Sequence, residues 1–176
     1  MVAYTTRMPA GIAGASNRQQ ASTIERQIMS ATAPATVYGV MMSWEAGGTN
    51  AVRLPAPGDT APSFAGLLVR PYPTNSSNDG LNTSTPMTSA QGGEANIMKR
   101  GYMTVRLYGA TPVTKGLPVQ VSLATAGSDV PGGITATPVA TNIINIPNCY
   151  FMGPAFTDPN TANAGSPSIV EIAYNI

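Results

Sequence analysis

Histidine is absent from this chain of 176 residues, and cysteine occurs once, at Cys149. The first absence removes the commonest general base and metal ligand. It also excludes a Ser-His-Asp or Cys-His arrangement for nucleophilic catalysis. The second leaves no intrachain disulfide and no cysteine zinc site. Charge is scarce too: 10% of residues are Asp, Glu, Lys or Arg, against about 25% in an ordinary soluble domain. A free monomer keeps itself soluble with surface charge. A chain this poor in it is expected to cover its surface with copies of itself or a larger assembly. The net charge of +1 gives no electrostatic case for nucleic acid or an acidic membrane. No apolar run approaches the roughly 18 residues that span a bilayer. The N-terminus lacks the basic-then-apolar pattern of a signal peptide, so synthesis in a cytosol is expected and a membrane partner is not.

What is present points to a folded β protein. Hydrophobic residues make up 43% of the chain, and 18 glycines and 16 prolines are spread throughout, which suits many short strands joined by turns. The clearest pattern lies in Asn96–Leu123, NIMKRGYMTVRLYGATPVTKGLPVQVSL. Tyr102, Thr104, Arg106 and Tyr108 alternate with Met103, Val105 and Leu107, the signature of a half-buried strand. Pro112, Lys115 and Gly116 turn the chain, and Leu117, Val119, Val121 and Leu123 resume the two-residue period. These two runs are expected to pair as a central antiparallel hairpin. Further strands are read at Ala35–Trp44, Val52–Leu54, Phe64–Arg70, Ile134–Ala140, Ile143–Pro147, Cys149–Phe156 and Ser168–Ile176. About eight short strands at these spacings, with helix below about 15%, fit an all-β class: a single antiparallel sandwich or barrel, jelly-roll-like.

Residues 1–33 differ from the rest and read as an extended N-terminal arm ahead of a β-domain at 34–176. From Ser16 to Met29 there is a weak helical pattern, with Ala21, Ile24 and Ile28 on one face and Ser16 or Asn17 as a cap; a short helix within 16–30 would fit it. The arm carries Met8, Ile12, Ile24, Ile28 and Met29, more apolar content than a solvated tail keeps, together with Arg7, Arg18 and Arg26. These eight residues are the candidate contacts to a partner. A second unusual stretch, the polar loop 74–93, has no period and is long for a compact domain.

Site chemistry is weak. Cys149 sits in an apolar strand, where an inert buried thiol is the ordinary reading. The eight acids are scattered, several of them in Gly/Pro/Asn turns where a carboxylate serves as a cap. Asn75–Asp79 and Asp158–Asn163 hold oxygen ligands at short spacing but lack the acid count of a calcium loop; Asx turns explain them better. The pairs Gly47-Gly48, Gly92-Gly93 and Gly132-Gly133 do not lead into a phosphate-binding helix. Tyr102, Arg106 and Tyr108 would allow base stacking, but no basic surplus accompanies them. No enzyme, cofactor or metal is indicated.

The order of elements carries a resemblance. An arm with Gly11-Ile12-Ala13 precedes Val37-Tyr38-Gly39-Val40, then Phe64-Ala65-Gly66-Leu67-Leu68-Val69-Arg70 and Lys99-Arg100-Gly101-Tyr102-Met103-Thr104-Val105. Val113-Thr114-Lys115-Gly116-Leu117-Pro118-Val119-Gln120-Val121, Ile146-Pro147-Asn148-Cys149-Tyr150-Phe151 and Ile169-Val170-Glu171-Ile172 follow. Over residues 10–176 this resembles the structural cement, or head decoration, proteins of tailed bacteriophages. The resemblance implies an all-β structural virion protein on the outer surface of a bacteriophage capsid, cementing neighbouring major capsid proteins. It would be a dimer or trimer at capsid symmetry axes, and it would be made in the host bacterial cytoplasm. The competing reading is a carbohydrate- or receptor-binding β-domain of a phage fibre or lectin, resting on Trp44 and seven tyrosines. Trp44 ends a strand that reads as buried, which favours core packing.

Overall fold

The fold is built on one long strand. In the computed structural model, which describes residues 13–47, 50–70, 93–109, 112–125, 129–136, 142–157 and 168–176, β5 runs from Glu94 to Tyr108, 15 residues, or about 50 Å at the usual strand rise. Around it lie β1 (Thr23–Met29), β2 (Met41–Trp44), β3 (Ala51–Arg53), β4 (Phe64–Leu68), β6 (Pro118–Ser122), β7 (Ile134–Thr135), β8 (Ile143–Phe151), β9 (Phe156–Thr157) and β10 (Ser168–Tyr174). Helix among the described residues is limited to single 3-10 turns at Gln19–Ala21 and Ala61–Ser63. The all-β class expected from composition is what forms.

The ladder closes twice. The first half of β5 pairs with β1 and β4, and β4–β2, β2–β3 and β3–β1 complete a ring. The second half pairs with β10 and β7, and β7–β6, β6–β8 and β8–β10 complete another. Two small barrels therefore share β5, and β9 lies beyond the second ring on β10. The β1–β3 and β5–β7 pairs are parallel and the rest antiparallel. Each ring has its own core. Met29, Val40, Met42, Val52, Leu68 and Ile97 fill the first; Val105, Val121, Ile134, Phe151, Val170 and Ile172 fill the second. Met41, Leu67 and Met98 come from strands of the first ring yet belong to the second core, because alternate residues of a strand face opposite sides. The wall of one barrel is thus part of the interior of the other.

The exchange of faces on β5 happens at Gly101. Its φ is +145°, and a Cβ there would lie 2.9 Å from the Ser22 Cβ and 3.1 Å from the Met98 sulfur. On either side of this point β5 changes partner, from Thr23↔Arg100 on β1 to Tyr174↔Gly101 on β10. The β1 register also slips between Thr23 and Ile24. A residue with a side chain adopts this backbone only with strain.

Several sequence expectations are corrected. The runs of β5 and β6 do not form a hairpin: β7 lies between them, parallel to β5 and antiparallel to β6. With two residues, β7 is too short to show its own period. The runs read separately at 143–147 and 149–156 share one strand through Phe151, kinked at Asn148 with φ 51°. The helical pattern of 16–29 becomes a 3-10 turn and a strand, because the ladder from Ile24↔Met98 to Ile28↔Glu94 outweighs a weak local preference. Residues 13–33 also join the β-domain instead of standing off it. Gly14 N–H donates to Thr104 O at 2.8 Å, Thr104 N–H to Ala15 O at 3.0 Å and Arg70 N–H to Gly14 O at 2.8 Å. Glycine permits this approach: Gly14 has φ +84°, and its added Cβ would lie 3.2 Å from the Gly39 nitrogen. Residues 1–12 and most of the loop 74–93 lie outside the described residues.

One ion pair braces the first ring. Arg53 donates to both Asp59 oxygens, at 3.0 and 2.7 Å, and Ala56 N–H donates to Asp59 at 3.0 Å. Burial alone would raise the Asp59 pKa, but the Arg53 and Ala56 hydrogen bonds outweigh it and hold the carboxyl below its ordinary value. A depressed carboxylate stabilises the fold above its unfolded pKa, and that contribution is lost as pH falls through the folded pKa. Asp59→Asn should therefore cost about 1.5–3 kcal/mol near neutral pH, measured by urea unfolding. The gap from wild type should close as pH falls below the ordinary carboxylate range and through the lowered pKa of Asp59. A gap that persists there would mean that packing, not charge, is responsible.

Candidate interaction surface

The candidate arm residues divide by face. On β1, Met29 points inward and belongs to the first core, so it is removed as a contact. Ile24, Arg26 and Ile28 point outward, with Ile24 43% and Ile28 53% exposed. Arg18 is engaged with its own domain: its guanidinium lies 4.0 Å from the Tyr102 ring centroid and 3.8 Å from Glu171. Asn17 fixes the same corner, donating to Glu171 at 3.1 Å and accepting from Thr104 Oγ1 at 3.0 Å. Arg26 pairs with Glu94 at 3.5 Å with both side chains exposed, an arrangement worth little in stability. Arg7, Met8 and Ile12 lie outside the described residues.

Beside the outward face of β1 is an open depression lined by Arg26, Gln27, Ile28, Trp44, Asn50 and Glu94. Trp44 packs against the first core, and Lys99 Nζ sits 4.2 Å from its ring centroid. Lys99 also donates to Ala65 O at 2.8 Å and pairs with Glu25 at 3.7 Å. Trp44 is therefore a packing residue with a cation over its ring.

A second apolar patch lies on the other ring. Leu117 is 37% and Tyr150 46% exposed. The cross-strand partner of Tyr150 is the exposed Pro118, on the same outward face, whereas Leu117 stands opposite buried Phe151, whose N–H donates to Leu117 O at 2.9 Å. The sequence reading did not single out this patch. Its signal was the alternation of Cys149, Tyr150 and Phe151, in which only the middle residue faces out.

The groups that invited catalytic readings have structural roles. Cys149 is buried in the second core, and burial pushes its thiol pKa well up, so it stays protonated. Glu45 accepts from Ser30 at 2.8 Å and Thr32 at 3.3 Å. Glu25, Asp59, Glu94 and Glu171 each face a cation. Among the described residues no three His, Cys, Asp or Glu side chains gather as a metal site. Asn75–Asp79 and Asp158–Asn163 lie outside the described residues.

Among the described residues this all-β chain exposes apolar side chains suited to forming interfaces. Comparison with known proteins makes this specific. The family described as "Structural cement protein (E217 gp24/Pam3 gp6)" matches residues 2–175, nearly the whole chain. The chain belongs to this family of phage structural cement proteins, as the order of its strands led us to expect. It is a capsid-stabilising structural protein of the virion, associated with capsid proteins. A chain of the solved structure "The capsid of Myoviridae Phage XM1" has a similar fold, with a TM-score of 0.62 at 17% identity, covering 96% of this chain and 93% of that one. No curated protein matches the chain.

Proposed function

We propose that the chain binds the outer surface of the capsid and bridges neighbouring major capsid proteins through two patches, one on each ring. The observation that supports this is the pair of exposed apolar surfaces, Ile24 with Ile28 on the first ring and Tyr150 with its cross-strand partner Pro118 on the second. The shared strand β5 holds them at a fixed separation. A rigid two-ended binder gains from effective concentration: once one end docks, the second binding is intramolecular. Stabilisation of the shell follows by mass action, about 4 kcal/mol per site at a thousandfold excess over Kd. The chain further associates with copies of itself, as a dimer or trimer at capsid symmetry axes, and it neither binds nucleic acid nor catalyses a reaction.

Co-sedimentation with capsids that lack the protein tests the bridging. Burying an isoleucine contributes about 1.5–3 kcal/mol. Ile28→Asp and Tyr150→Asp should each weaken binding by about 10- to 100-fold, and the double variant should bind far less than either. If the double variant sediments with capsids as the unchanged chain does, attachment uses another surface and the two-patch reading is wrong.

A further inference from the structure

Ring one is open along one flank of β1 among the described residues. On one flank β1 pairs with β5 from Thr23 to Ile28. On the other it meets β3 at Ile28↔Ala51 and Met29↔Val52, and from Thr23 to Gln27 that flank has no ladder among the described residues. Met29 N–H donates to Gly93 O at 2.7 Å, toward β5, whereas Ile28 N–H points the other way, to Asn50 O at 3.4 Å. Backbone groups alternate along an antiparallel pair, so the N–H and C=O of Ile24 and Arg26 lie on the same flank as the Ile28 N–H and point into the opening. The depression bounded by Arg26, Ile28, Trp44 and Glu94 adjoins this flank. A bare edge with exposed isoleucines invites another strand.

We infer that this edge receives residues Val2–Met8 from a second copy of the chain, an exchange that holds copies together. The inference rests on the self-association proposed above, not on attachment to the capsid. Residues 1–12 precede the first described residue, and extended they reach about 40 Å, enough to leave the molecule. Val2–Met8, VAYTTRM, equals β1 in length, and valine, tyrosine and threonine are strand formers. Pro9 ends the stretch because it donates nothing to a ladder. Arg7 has acceptors at the edge in the exposed Glu25 and Glu94. The chain's own Gly14 is tied to Thr104, while the opening is centred near Arg26↔Asn96, eight positions along β5 and about 27 Å away. A neighbour's segment meets it without running straight back along its own domain. Because every copy both donates and accepts, the exchange closes into a symmetric oligomer.

The test uses the full chain, a chain lacking residues 2–8, and Arg26→Pro, which deletes one N–H facing the opening and none facing β5. Circular dichroism checks that each folds; should Arg26→Pro not fold, Ile24→Lys with Ile28→Lys replaces it, since both side chains are solvent-exposed. Light scattering should show that the full chain associates and that each altered chain alone does so at least about tenfold more weakly. An equal mixture of the two should recover association, because one supplies the intact segment and the other the intact edge. A full chain that stays monomeric, a truncated chain that associates normally, or a mixture that recovers nothing overturns the exchange. Capsid co-sedimentation of the truncated chain reports separately on the bridging function, which stands if binding survives.

Discussion

Phe151→Ala should unfold the protein at a markedly lower temperature, while Tyr150→Ala, one residue away, should leave its stability nearly unchanged. Phe151 is fully buried in the second core. Its strand pairs it with Ile172 on β10, and its backbone bonds in both directions to the 116–117 turn, Gly116 N–H to Phe151 O at 2.8 Å and Phe151 N–H to Leu117 O at 2.9 Å. The backbone bonds survive the substitution; the ring does not. Removing a buried phenylalanine side chain costs about 3–5 kcal/mol through lost transfer energy and the cavity left behind. That is a large share of the roughly 5–15 kcal/mol that holds a domain together, and at this size it lowers Tm by about 6–20 °C. Tyr150 faces solvent, so Tyr150→Ala should stay within about 0.5 kcal/mol. Calorimetry on both variants decides the point. Equal losses would mean that β8 does not alternate as described. Unfolding of Phe151→Ala should remain a single transition, because Met41, Leu67 and Met98 tie the first ring to the second core. Two separate transitions would show that the rings are independent units.

Gly101→Val is expected to be comparably damaging for a different reason. The φ of +145° at this position alone costs a residue with a side chain about 1–3 kcal/mol, and β-branching adds to it. The new Cβ would also press on Ser22, 2.9 Å from its Cβ, and the methyl groups would meet the Met98 sulfur. Relief requires β5 to straighten where it passes from β1 to β10, which would loosen both ladders together. We expect a loss of about 3–5 kcal/mol and a fall in Tm similar to that of Phe151→Ala. Hydrogen exchange should speed up at amides of both β1 and β10. A variant that loosens one ring and leaves the other protected would show that Gly101 is not the joint between them.

The sequence by itself determined the class of this protein. Sparse charge, no histidine and a two-residue period in the longest strand pointed to an interface-forming β protein, and the order of short strand motifs pointed to the cement family. Those signals are local or compositional, and the chain displays them without folding. The inward face of β5 was legible for the same reason: Met103, Val105 and Leu107 must avoid water whichever strand lies beside them. Pairing was not legible. A two-residue strand such as β7 has no period of its own, and only closure of the second ring places it between β5 and β6. Ala21 in the 3-10 turn and Ile24 and Ile28 on β1 read as a helical face, because a spacing of four, as between Ile24 and Ile28, fits one face of a helix and one face of a strand alike. The β5 ladder chose the strand, turning Met29 into the core and leaving Ile24 and Ile28 in solvent. The patch at Pro118 and Tyr150 joins residues far apart in the chain, so no local pattern announces it. Tertiary structure decided which apolar residues are core and which are contact surface, because a strand's faces acquire those meanings only when a barrel closes on one of them.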